Sequence, residues 1–171
     1  SVRTGVTRMI ITGSSVDALD FDSTSTSNDA VFYASGGGVI YQSPPPNIGG
    51  ATTWGFADVL ATRNAGAGAT KGWFISGVGT DTAITGRDVF AYLDGISLSI
   101  CQQIKKGLGF SSVTPLDEAT TVILTGDGSD QAAGNNAWSF NKHNADGDPQ
   151  PFSCVQNNGG NYIYYHALVE Q

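Results

Sequence analysis

The chain has 171 residues, of which only 13% are charged and 23 are glycine, and its formal net charge is −7. That length suits one domain, residues 1–171, with a real core, and the turn-rich, neutral-polar composition suits a largely β protein. Eight scattered Lys and Arg, adjacent only at Lys105-Lys106, exclude the clustered cations that nucleic acid or an anionic membrane surface needs, and no apolar run reaches the roughly 20 residues of a membrane span.

The first predicted element is a helix over residues 1–12. Val2, Val6, Met9 and Ile10 recur at helical spacing, and Arg3 and Arg8 fall on other faces. The chain enters it without a start, so it reads as the C-terminal half of a truncated helix. A polar connector, residues 16–30, follows. "VFYASGGGVIYQ" then predicts a hairpin, with Val31–Ala34 and Val39–Tyr41 flanking a glycine turn. Pro44-Pro45-Pro46 forbids helix and central strand alike and predicts an exposed extended segment.

Strands are expected within "TTWGFADVLAT" and "TKGWFISGVGT". Residues 86–108 predict a long mid-domain helix, with Thr85 as cap and Asp88 favouring its dipole. Val89, Leu93, Ile96, Ile100 and Ile104 form its apolar stripe. Asp94-Gly95 marks a bend within it, and Lys105-Lys106-Gly107 marks its end. The remainder, "TTVILTG", "NAWSFNK" and "NYIYYHALVEQ", reads as strands. The expected class is α+β: an N-terminal helix, an antiparallel sheet joined by hairpin-type connections, and one further helix in mid-domain.

Catalytic signals are weak. Gly36-Gly37-Gly38 is followed by a strand-like stretch, whereas a phosphate loop needs a helix there. His143 and His166 have no motif partner, and His166 alternates with Tyr164 as on one face of a strand. No nucleophile elbow, zinc-protease motif or P-loop occurs. The reading is therefore non-enzymatic.

Two acidic loops hold candidate Ca²⁺ ligands, Asp127 and Asp130 in one and Asn144, Asp146 and Asp148 in the other. The second loop begins like an EF-hand and then departs from it, with Gly147 at the fourth place and Val155 at the twelfth. Asx turns account for the same residues without metal. Ca²⁺ is the single cofactor considered. Trp54, Trp73 and Trp138 are candidate aromatic contacts for a glycan if exposed, and core residues otherwise.

Cys101 and Cys154 are the only cysteines. Their spacing leaves a disulfide or two buried thiols, and the Asn-rich, low-charge composition of secreted proteins favours the disulfide.

The layout of these elements resembles the soluble domain of type IV pilin-like proteins, the group of pilins and type II secretion pseudopilins. "SVRTGVTRMI" matches the second half of the family's N-terminal helix, "VDALDFDSTSTSNDA" part of its connecting loop, and "VFYASGGGVIYQ" with later strands its sheet. The resemblance implies that Cys101 and Cys154 form a staple and that "NYIYYHALVEQ" is the closing strand. It implies a non-catalytic filament subunit whose partners are copies of itself or related subunits. It also implies an extracellular or periplasmic location, with the membrane reached only through a preceding apolar helix before assembly. The alternative is a secreted adhesin module that binds carbohydrate or protein.

Overall fold

The computed structural model describes residues 1–50, 54–57, 72–75, 89–117, 137–140, 151–156 and 162–170. The class is α+β, with an N-terminal helix, a mid-domain helix and an antiparallel sheet of four strands extended by one parallel edge strand.

Helix α1, Val2–Ile11, buries Gly5, Val6 and Met9. Val2 and Ile10 pack at the margin of the same cluster, so the helical spacing of these four residues is the buried stripe it suggests. The connector that follows is polar in composition but anchored at Val16, Leu19 and Phe21, all buried. From Asp20 onward short side chains bond the backbone two residues on. The Asp20 carboxylate accepts from the Asp22 N–H at 2.9 Å, and the Ser27 hydroxyl accepts from the Asp29 N–H at 3.2 Å. Such local bonds hold a loop without regular structure.

The expected hairpin at residues 31–41 does not form. Residues 30–38 coil into consecutive turns instead. The Gly37 N–H donates to the Ala30 carbonyl at 3.0 Å and the Val39 N–H to the Val31 carbonyl at 3.2 Å. The glycines are required by approach, not by a hairpin tip. A Cβ on Gly36 would lie 2.1 Å from the Ala30 carbonyl oxygen, and one on Gly37 would lie 2.3 Å from that of Val31. The proline run lies outside helix and strand, as expected.

Five strands form the main sheet in the order β1 (Gly55–Ala57), β3 (Val89–Ile96), β7 (Tyr162–Val169), β6 (Phe152–Gln156) and β4 (Leu116–Asp117). The first four run antiparallel, and β4 joins β6 in parallel. A separate parallel pair, β2 (Gly72–Ile75) with β5 (Ala137–Phe140), also departs from the hairpin-type connections expected.

The predicted helix over 86–108 is corrected by the structure. Its first described part, Val89–Ile96, is strand β3, and only Leu98–Gly107 is helical, as α2. The cause is two-sided burial. Val89 through Leu93 are all buried, so the strand is a continuous apolar run without the alternation that identifies a one-sided strand. Gly95, at φ +77°, forms a register irregularity between Asp94 and Ile96 at the end of β3. Ser97 then caps α2, its hydroxyl accepting from the Ile100 N–H at 3.3 Å. The helix ends at Lys105-Lys106-Gly107, where the sequence places its end. Thr85 and Asp88, read as cap and dipole partner, lie outside the described residues, as does "TTVILTG".

Both helices pack on the main sheet, α1 against β7 and α2 against β6 and β7. Alternate strand residues share a face, and the pairings align Phe56, Ala91, His166 and Phe152 in one row and Leu93, Tyr164 and Cys154 in the next. Ala91 and Leu168 belong to the cluster under α1, whereas Leu93 and Cys154 belong to the cluster under α2. The opposite face carries Phe90, Ile163, Tyr165 and Ala167, also buried.

Candidate functional site

The cysteines are joined. Cys101 lies on α2 and Cys154 on β6, with their Cα atoms 5.5 Å apart and a sequence separation of 53. Neither cysteine is exposed. Leu93 and Ile96 share their cluster, and Ile100, Ile104 and Tyr164 pack against it. The bond therefore ties the mid-domain helix to the sheet through an apolar layer. Lys105, one turn on, is fully buried. Its ammonium donates to the Thr114 carbonyl at 3.1 Å and lies 5.1 Å from the centre of the Phe110 ring, which holds the chain leaving α2 against the helix. A buried disulfide is compatible with an extracellular or periplasmic location, where such bonds persist.

Along β7, the side chains facing the helices run from Tyr162 by α2 to Leu168 under α1, with Tyr164 and His166 between. Here the described residues enclose a cleft of about 840 Å³. Its floor is Ala91, Tyr164, His166 and Leu168, and one end is closed by Trp54 and Phe56. Helix α1 forms one wall through Arg3, Gly5 and Arg8, and Val39, Ile40 and Tyr41 form the other. The walls meet where a Cβ on Gly5 would lie 2.2 Å from Val39 Cγ2. The Arg8 guanidinium donates to the Gly36 carbonyl and fastens the turn to the helix.

The cleft is aromatic and basic. Trp54 meets Tyr164 edge-on at 6.4 Å between ring centres, and Phe32 meets Tyr41 edge-on at 5.2 Å. Among the described residues two arginines line the cleft and no carboxylate does, in a chain whose acidic residues outnumber its basic ones by 15 to 8. The Tyr164 hydroxyl lies 3.1 Å from His166 Nδ1, so the alternation of these residues in sequence is a hydrogen-bonded pair on one face. Burial, then the positive charge of Arg3, holds the His166 imidazole below its ordinary pKa, and Glu170 opposes this more weakly. Burial raises the Tyr164 phenol. The imidazole is therefore neutral near pH 7 and the phenol protonated.

This sets a pH dependence. A His with a depressed folded pKa binds fewer protons when folded than when unfolded below about pH 6.5. Its contribution is fully present above that pH and is lost as the pH falls toward the folded value. Thermal melts should show the Tm of the native chain falling more steeply below pH 6.5 than that of His166→Gln. The buried carboxyl of Asp94, whose pKa burial raises, is common to both proteins and cancels. Equal slopes would mean that His166 is not held neutral.

Of the residues read as candidate contacts, Trp54 is half-buried at the cleft's end and packs against both core clusters. Trp73 and Trp138 are paired across β2 and β5 by backbone register. The candidate Ca²⁺ ligands Asp127, Asp130, Asn144, Asp146 and Asp148 lie outside the described residues. Sequence reasoning missed the parts that Arg3, Tyr41, Phe56 and Tyr164 play in the cleft. Only the Tyr164/His166 alternation signalled any of it, because the walls come from segments far apart in the chain. Among the described residues no helix is long and apolar enough to cross a membrane. No protein-family model matches this sequence, and no curated protein or solved structure matches it at a significant level.

Proposed function

We propose that the chain is a non-enzymatic structural subunit of an extracellular or periplasmic filament of the type IV pilus or type II secretion pseudopilus kind. The observation that carries this reading is the seating of α1. Val6 and Met9 lock the helix to the face of an antiparallel sheet, and Arg3, Thr7 and Ile11 on its other sides stay exposed. A helix so placed is rigidly joined to its own domain and still offers a surface to neighbouring subunits. The disulfide supports the same reading, because a subunit working outside the cytoplasm gains from a covalent tie between helix and sheet.

The test is fractionation of producing cells. Sheared surface material should contain the protein in a sedimenting polymer, and the gene should encode about 20 apolar residues ahead of Ser1 after a short basic leader. Recovery solely as soluble monomer, behind a cleavable secretory signal, would overturn it. The cleft favours a second reading, a secreted module that binds carbohydrate or protein.

A further inference from the structure

The cleft between α1 and the sheet carries more chemistry than packing requires. Its volume of about 840 Å³ lies within the roughly 300–1,000 Å³ of ligand pockets, which combine apolar walls with a few polar groups. Aromatic rings surround it, namely Phe32, Tyr41, Trp54, Phe56 and Tyr164, and Gln42 and Thr4 add hydrogen-bonding groups at its edge. Arg3 is exposed, lines the cleft, and is close enough for its charge to act on His166. Arg8 lines it too, already engaged by the Gly36 carbonyl.

We propose that this cleft binds an acidic saccharide, its pyranose rings against the aromatic residues and its carboxylate on Arg3. Charge selects the carboxylate, because among the described residues the lining holds two guanidinium groups and no acid, and Glu170 acts on His166 more weakly than Arg3 does. Ring geometry selects the sugar: aromatic side chains offer apolar surface to the C–H faces of a pyranose, and the surrounding Gln42, Thr4 and Tyr41 suit its hydroxyls. An extended peptide is less well served. The floor is built from β3 and β7, each paired on both sides, and the edge strand at the cleft's end, β1, is only three residues long, a short template for strand addition. A small inorganic anion would satisfy Arg3 and leave the aromatic surface bare. The assignment deepens the second functional reading and does not depend on the filament reading.

The test is calorimetric titration of the purified chain with a galacturonic acid tetrasaccharide and with its carboxyl-reduced, neutral counterpart. The acidic probe should bind saturably at one site, and the neutral probe about tenfold or more weaker. Arg3→Glu should weaken the acidic probe by at least a similar factor, whereas Lys106→Glu, which reverses an exposed charge on α2, should leave it unchanged. The exposure of both positions lets the variants fold, and identical melting curves would verify this. The assignment is overturned by absence of binding to the acidic probe, by equal binding of the neutral one, or by equal losses in the two variants. A tetraglutamate peptide that binds as tightly, with the same dependence on Arg3, overturns the saccharide in favour of a peptide. The titration reads no assembly, so a failure here leaves the filament reading standing.

Discussion

Replacing both Cys101 and Cys154 by Ala should lower the stability of the domain by about 4 kcal/mol, the closure entropy that a crosslink of this span removes from the unfolded chain. For a chain of this length that corresponds to about 8–16 °C in Tm. Denaturant titration of the oxidised protein and the double variant measures it directly. The cysteines are two of the four buried members of their cluster, with Leu93 and Ile96, so loss of the two sulfurs adds a packing cost in the same direction. The effect should therefore appear chiefly as a shifted midpoint. With both cysteines fully buried, reductant alone should act slowly on the folded protein and fast once denaturant opens it. An unchanged midpoint in the double variant would mean that packing alone holds α2 to the sheet.

The second large effect concerns α1. Met9 is 2% exposed and Ile11 is 79% exposed, two residues apart on one helix. Met9→Ala removes a side chain from the cluster shared with Val6, Leu19, Ala91 and Leu168, and should cost about 2–5 kcal/mol through lost burial and the cavity left behind. Ile11→Ala should change stability by no more than about 0.5 kcal/mol. Comparable losses from the two substitutions would mean that α1 is rotated from the seating described. In producing cells the contrast should reverse if the exposed side of α1 joins subunits: Ile11→Ala would then reduce sedimenting polymer without lowering Tm.

Local patterns carried a good part of this architecture. The recurrence of Val2, Val6, Met9 and Ile10 identified α1 and its buried side together, because one amphipathic period specifies both. The stretches around Trp54, Trp73, Trp138 and Tyr164 were strands as read, with their pairings unforeseen. The failures have one physical source, burial decided by the rest of the fold. Strand β3 is apolar on both faces, so Val89, Leu93 and Ile96 imitate a helical stripe. Strand β6, around Cys154, sits in a polar-looking stretch and becomes a strand because β7 pairs with it along its whole length. The glycines of residues 36–38 signal a turn correctly, but Gly36 and Gly37 accommodate the backbone of residues 30 and 31 and Gly38 the Arg8 side chain, approaches that no hairpin pattern specifies. The cleft was the least legible feature, since Arg3 and His166 lie at opposite ends of the chain and meet only because α1 docks on β7.

The position of β7 constrains the order in which the protein can come into being. It is the last of the described strands, yet it lies between β3 and β6 and beneath α1. A ribosome or an export channel delivers the chain from its N-terminus, so α1, β3 and β6 all emerge before the strand they pack against or pair with. Until residues 162–169 arrive, β3 and β6 have no common partner and Val6 and Met9 have no sheet to cover them. Such a chain stays open during vectorial delivery and closes in a late step built from contacts distant in sequence, which are slow to form. Keeping the central strand for the end is a safeguard against closing the sheet before the rest of its strands are present.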